Sequence, residues 1–366
     1  MKASYLLVLP LFIVGACKKD RVEEKPIVTP VEEEIYFPEN FTGGWESQDP
    51  DELEWNTAEI SPLYSYLDSI GSRAFIVLYN GRIVLEHYHG KQLNGQPFTS
   101  SSNWYWASAG KSLTSFAVGM AVEDGYIDLY APTSTYLGTG WTNTSSDRET
   151  AITIRHHLEM TTGLDDGGNV NCTDPACLTY LAAPGTRWAY HNAPYTLLHR
   201  IIEIATPVTF EEYLQDEIFA KIGIGGNWFW LDDNHVFFSS ARSMARFGLL
   251  NLSGGIWNGD TLLSRSYFET MTQPTQTLNP SYGYLYWLNG QSSYMLPSTQ
   301  TQFSGSLCPN APSDMYAALG KNGQILNMVP SQKLVVVRMG ESTDNAFVSA
   351  ALQNEIWKRL NRVIQP

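Results

Sequence analysis

The chain has 366 residues, with 37 acidic side chains against 23 Lys and Arg and a formal net charge of −14. At 43% hydrophobic and 13% aromatic residues it is too apolar to be disordered, and its acidity argues against a general nucleic-acid binder, which needs a basic surface. The length allows one large domain or two medium ones with an ample core.

Residues 1–17 begin with a single basic side chain, Lys2, continue as a Leu-, Val-, Ile- and Phe-rich run, and end in Val14-Gly15-Ala16-Cys17. A short basic start followed by an apolar run of about 7 to 15 residues describes a secretory signal, not a membrane span. The ending resembles a bacterial lipobox. That resemblance implies cleavage after residue 16, with acyl chains on Cys17 holding the protein to a membrane surface. The remaining 350 residues would carry a charge of −15. Residues 17–54 then read as a lipid anchor and acidic tether, with Glu23-Glu24, Glu32-Glu33-Glu34, four prolines and little apolar periodicity. The expected address is the cell envelope, on the periplasmic face or outer surface, with the membrane as a partner through lipid alone. No other stretch approaches about 18 continuous apolar residues.

From residue 55 the pattern becomes that of a folded domain extending to 366. Glu59–Ile70 has helical periodicity. Phe75–Tyr79 and Arg82–Tyr88 are strand-like runs joined by Asn80-Gly81, a strong hairpin signal. After Ser108, residues Leu113, Phe116, Ala117, Met120 and Ala121 fall on one helix face that ends near Gly125. Helices are predicted over 153–161, 193–205, 209–222, 239–252 and 264–272. Strand character returns at Tyr282–Leu288, Met315–Leu319, Gln324–Val329 and Leu334–Met339, and Asp344–Val363 closes the chain as an amphipathic helix. Strands at both ends and helices between them predict an α/β (α+β) fold. Its antiparallel sheet is flanked by the N- and C-terminal helices, and a mostly helical second lobe spans about 126–280. A cleft between lobes is the expected ligand site.

With Cys17 assigned to lipid, three cysteines remain. Cys172 and Cys177 are five apart, and an exported protein sits where disulfides persist, so a local staple is expected. The alternative, a metal site, lacks third and fourth ligands at recognisable spacing. Cys308 is expected as a buried, unpaired small side chain.

Ser108-Ala109-Gly110-Lys111 opens the helix after 108. A serine and a lysine three apart share a helix face. Free backbone N–H groups and the positive dipole end favour negative charge there, and a buried, uncharged lysine can act as base for the hydroxyl. Alone, Ser-x-x-Lys is a common pattern and equally describes a cap and a surface lysine. Two further matches sharpen it. Tyr190-His191-Asn192 lies 82 residues downstream, and Lys321-Asn322-Gly323 lies 213 downstream between two strands.

In this order the three motifs resemble the serine β-lactamase and penicillin-binding-protein superfamily over roughly residues 55–366. The stretch Ile152–Leu164 resembles the class C-like branch. That branch includes class C β-lactamases, related esterases and 6-aminohexanoate-dimer hydrolases, and Gly323–Pro330 with Leu334–Arg338 is most similar to the last of these. The resemblance implies Ser108 as nucleophile, Lys111 as its base and Tyr190 as proton relay. Asn192, Lys321 and Gly323 would order the network and substrate, and the N–H groups of Ser108 and Gln324 would form the oxyanion hole. It implies no metal and no cofactor.

The sequence departs from the family at Asn322, which replaces the usual hydroxyl of Lys-Thr-Gly. This counts against an efficient β-lactamase or transpeptidase. His191 stands where a small residue is usual, and no Glu-x-x-x-Asn stretch supplies a class A deacylation base. The expected activity is hydrolysis of a small-molecule or short-peptide amide or ester. The alternatives are a D-alanyl-D-alanine carboxypeptidase or β-lactamase, and a non-catalytic cell-wall binding protein on the same fold. Trp104-Tyr105-Trp106 and Trp228-Phe229-Trp230 are read as core before cleft wall. His87/His89 and His156-His157 are read as structural or surface pairs, and Asp165-Asp166 as a solvated loop.

Overall fold

In the computed structural model of the chain the sheet starts where the sequence marks it most plainly. Asn80 and Gly81 both take positive φ, 47° and 86°, the geometry a two-residue hairpin needs. They join β1 (Ser72–Tyr79) to β2 (Arg82–Tyr88). A side chain at Gly81 would come within 1.9 Å of the Tyr36 carbonyl oxygen, so only glycine admits the segment that covers this turn. The structure describes Met1 and residues 34–41, 44–342 and 346–364. The expected signal, Cys17 and most of the tether lie outside the described residues.

The late strands complete the sheet: β5 (Trp287–Leu288), β6 (Tyr316–Gly320), β7 (Gln324–Val329) and β8 (Leu334–Gly340). The order is β2-β1-β8-β7-β6-β5 and the pairs are antiparallel. The chain's two ends therefore meet at the β1–β8 seam, as the placement of strand patterns predicted. β7 and β8 are buried at every residue, which requires cover on both faces. On one side lie α1 (Ile60–Ser69) and α5 (Ala350–Ile364); Trp357 of α5 donates from Nε1 to Asn327 of β7 at 2.9 Å. On the other side lies α4 (Ala241–Leu252). A Cβ on its Gly248 would meet Val335 at 2.5 Å and Leu326 at 2.7 Å, so the glycine sets how closely helix and sheet approach.

The middle of the chain is mostly helical, around α2 (Gly110–Glu123) and α3 (Asn192–Ala205). Helical turns also run from 210 to 222, broken by a π-helical stretch at Gln215–Phe219. Two hairpins here were not predicted from the sequence, the shorter pairing Ile256–Trp257 with Asp260–Thr261. β3 (Gly226–Leu231) and β4 (Asn234–Ser239) pair with each other, and β4 also pairs with Trp104–Tyr105. Trp228-Phe229-Trp230 therefore lies on a strand. Trp104 and Trp106 are fully buried, with their indole N–H groups bonded to Gly340 O and Ser239 Oγ; they are core, not cleft wall.

The compact domain begins at Ile35, not at 55. Tyr36 N donates to Asn80 O at 3.1 Å, Trp45 Nε1 donates to Gly81 O at 2.8 Å, and Ser47 bridges to Ile83. The expected spacer is thus part of the fold from residue 35 on. Its aromatic anchors, Tyr36, Phe37 and Trp45, are too widely spaced to register as periodicity. Cys172 and Cys177 are disulfide-bonded, and Cys308 is free and buried, its thiol pushed up to about 12 by desolvation.

Candidate active site

Ser108 sits in a single tight turn, Ala107–Ala109, that leads directly into α2. Ala107 takes a left-handed φ of 47°, unusual for a residue with a side chain. The conformation swings the chain from the buried Trp104–Trp106 segment into the helix. It leaves Ser108 half-buried at the helix N-terminus, while Lys111, one turn on, is 3% exposed.

Lys111 Nζ donates to Ser108 Oγ at 2.9 Å. Desolvation pushes the lysine down to about 7, so near neutrality an uncharged amine is substantially populated beside the hydroxyl. Two aromatic faces border the nitrogen. The Tyr195 ring centroid is 4.3 Å away and that of Tyr190 is 5.1 Å away. Tyr190 is buried and its hydroxyl has no aligned hydrogen bond among the described residues. Burial raises its pKa, and the Ser108 side chain pulls the other way. The phenol is therefore a neutral proton carrier near the serine.

Tyr195 was not singled out from the sequence, yet it follows Asn192 by three and shares its side of α3. Behind it runs a chain of buried polar groups. Thr114 Oγ1 is 2.9 Å from His199 Nε2, His199 Nδ1 is 3.2 Å from His235 Nδ1, and His235 Nε2 is 3.1 Å from Glu211. Both imidazoles are held neutral, chiefly by desolvation. A carboxylate only accepts, so His235 donates from Nε2 and accepts at Nδ1. His199 then donates from Nδ1 and accepts from the Thr114 hydroxyl. The tautomers follow from the network and lock the floor beneath Lys111.

Asn192 opens α3 and is buried. Its amide N–H donates to Asn171 at 2.7 Å, while its Oδ1 has no partner among the described residues. His191, pushed down to about 4 chiefly by burial, stays neutral.

The strand motif sits differently from the expectation. Lys321–Gly323 form a turn beyond the end of β6, with Asn322 at a left-handed φ of 63°. Arg338 of β8 holds this turn, donating to Asn322 O at 2.7 Å and Gly323 O at 2.9 Å. Asn322 in turn donates to the Tyr105 hydroxyl at 2.8 Å. The residue against the serine turn is Gly320: a side chain there would lie 3.1 Å from Ser108 N and 2.4 Å from Trp106 O. Gly323 faces away, toward Arg338 and Leu352. Gln324 starts β7, one strand further from the serine turn. Its side chain ties β7 to β8, donating to Gly340 O at 2.6 Å and accepting from Gly340 N at 3.0 Å. The Gly323 carbonyl and the Gln324 side chain thus brace the strand ends, and the end of β6 is the strand position beside Ser108. Lys321 is exposed, its Nζ 5.7 Å above the Phe347 ring.

Tyr190 and Phe347 both line a groove of about 520 Å³, whose wall includes the Asp166–Arg187 ion pair at 2.7 Å. Asp166 is therefore a groove residue, not merely solvated. A cavity of about 350 Å³ near Arg265, Asp314 and Tyr316 holds none of the motif residues. His156 closes a capping box with Thr153, and His157 is buried between Thr133 and the Pro194 carbonyl; both are structural.

A family model for beta-lactamases matches residues 66–356. An uncharacterized protein of Alkalihalophilus pseudofirmus is 27% identical over 305 residues, covering 74% of this chain and 84% of its own. Among solved structures, a Bacillus anthracis protein named for 6-aminohexanoate-dimer hydrolase superposes with a TM-score of 0.66 at 20% identity, covering 88% of this chain and 89% of its own. A Bacteroides dorei protein named for beta-lactamase has a TM-score of 0.66 at 16% identity, covering 85% and 100%. At these identities the solved structures share the fold.

Proposed function

Because the chain belongs to the beta-lactamase family, we propose that it is a serine hydrolase that cleaves an amide or ester through an acyl-Ser108 intermediate. The observation that carries this reading is the buried Lys111 amine at 2.9 Å from Ser108 Oγ, with its pKa brought to about 7. Lys111 takes the serine proton as Oγ attacks the carbonyl carbon. The oxyanion is held by the Ser108 N–H and by a backbone N–H at the end of β6, that of Lys321 in place of Gln324. Tyr190 hands a proton to the leaving group, which departs as amine or alcohol. The same groups then activate water, which releases the acid and frees Ser108.

The substrate class we favour is a small amide or ester of the 6-aminohexanoate-dimer type. β6 meets the serine turn with Ala318, Leu319 and Gly320, all buried, which present neither cation nor hydroxyl to a substrate carboxylate. Exposed Lys321 is the feature that supports the alternative, a D-alanyl peptidase or β-lactamase. The proposal includes export and lipid attachment at Cys17.

Two experiments address nucleophile, anchor and substrate. Treatment of the cell-expressed protein with a fluorophosphonate, read by intact mass, is expected to add one phosphonyl group to wild type and none to Ser108→Ala, on a chain that starts at an acylated Cys17. An equal adduct on Ser108→Ala would remove the nucleophile assignment, and an unmodified N-terminus the anchor. Turnover of a nitrophenyl ester and a linear aminohexanoate dimer should exceed that of a chromogenic cephalosporin; the reverse would promote the alternative.

A further inference from the structure

The hydrolytic chemistry leaves one histidine pair unused. His87 lies in β2 and His89 one residue beyond its end, so the two side chains share a face of the strand. That face meets α1 at Asp68. His87 Nε2 is 2.8 Å from Asp68 Oδ1, and His89 Nδ1 is 3.3 Å from Asp68 Oδ2. One donor atom from each residue lies within 4.8 Å of the other two. We propose that Asp68, His87 and His89 bind a divalent transition-metal ion of the zinc type, which fastens α1 to the edge strand β2.

Donor geometry supports this assignment. Ligands around a tetrahedral zinc at bond lengths of about 2.0–2.1 Å stand roughly 3.3 Å from one another. The His89–Asp68 distance of 3.3 Å matches that spacing and the His87–Asp68 distance of 2.8 Å is shorter, each to a different carboxylate oxygen, so binding asks the three donors, which lie within 4.8 Å of one another, to regroup around one ion. Tyr64, one turn before Asp68 on α1, stacks on the His87 ring at 4.2 Å and 9°, which fixes the ring plane. Two imidazoles and a carboxylate suit zinc, nickel or copper better than calcium or magnesium, which prefer all-oxygen shells. The side chains are 24%, 49% and 27% exposed for His87, His89 and Asp68, so an ion reaches them from solvent and keeps a position for water. Three strands separate β2 from β6 in the sheet order. The ion is therefore placed to hold the fold, not to touch the substrate. The competing account is an aspartate hydrogen-bonded between two imidazoles with no ion.

The test is calorimetric titration of the full chain, stripped with EDTA, with zinc chloride alone. One zinc per chain is expected, with affinity at least about tenfold weaker in His87→Gln and in His89→Ala. The wild-type melting temperature should rise with zinc, while that of His89→Ala should not. His89 is half-exposed beyond the strand end, so this variant should melt like wild type in EDTA and keep fluorophosphonate labelling at Ser108. Absence of stoichiometric zinc binding, or wild-type affinity in the two variants, would overturn the site.

Discussion

At the scale of the residue, the serine and its lysine were legible because their relation is local: a spacing of three on a helix fixes their encounter before any tertiary contact forms. What holds Lys111 was not legible, because Tyr195 and the Thr114–His199–His235–Glu211 chain converge from separate elements. Tyr195 makes a testable contribution. Its ring face favours the ammonium form of Lys111, opposing the desolvation that lowers the pKa to about 7. Hydrolysis needs the neutral amine, so kcat/KM should rise with pH through that value. Tyr195→Leu removes the ring. The acid limb should then move down by about one pH unit, the equivalent of roughly 1–2 kcal/mol of lost cation–π attraction. Tyr195→Phe keeps the ring and should leave the limb in place. A Leu variant whose limb stays put or moves upward would show that the ring does not tune the base.

At the scale of the element, strong periodicity and turn chemistry were read correctly, and register was not. The Asn80-Gly81 hairpin, α2 and the three strands β6–β8 all carry local signals. The β3–β4 hairpin was missed because Trp228-Phe229-Trp230 shows no alternation in sequence: the strand is largely exposed along its length, and its tip at Asp232-Asp233 lacks glycine. Register also decided the strand motif. Lys321-Asn322-Gly323 was found, but whether that turn or the strand before it borders the serine depends on where β6 ends. Arg338 makes this turn a rigid support: it also donates to Ser72 Oγ at 3.0 Å and to Ile70 O at 3.2 Å. Arg338→Met should remove these charge-assisted bonds and leave buried carbonyls unpaired, costing about 3 kcal/mol in urea denaturation. Loosening the end of β6 should disturb the oxyanion position more than substrate binding, so kcat should fall while KM changes little. A drop in stability with unchanged kcat would separate the clasp from the site.

At the scale of the whole molecule, the acidic, proline-bearing start was read by composition as a spacer, yet composition averages over a stretch in which a few aromatics do the anchoring. Tyr36 packs under Arg82 at 5.2 Å and Phe37 meets the Trp257 ring at 4.9 Å. Arg246, buried beside Trp45, donates to Glu39 O at 2.6 Å and Pro38 O at 3.3 Å. Desolvation within this cage pushes Arg246 down to about 10, so the segment both shields the guanidinium and supplies its acceptors. A chain starting at Ile35 should therefore keep the domain's full stability, whereas one starting at Trp55 loses three aromatic anchors and the carbonyl cage together. The three aromatics are half-buried, so each contributes about half of the roughly 1.5–3 kcal/mol of a fully buried side chain, and the shorter chain should lose roughly 3 kcal/mol and melt about 5 °C lower. The contacts made by Tyr36, Phe37, Trp45 and the Arg246 cage do not include Ser108 or Lys111, so fluorophosphonate labelling at low temperature should persist in both chains. Equal melting temperatures for the two would return residues 35–54 to the role of a spacer.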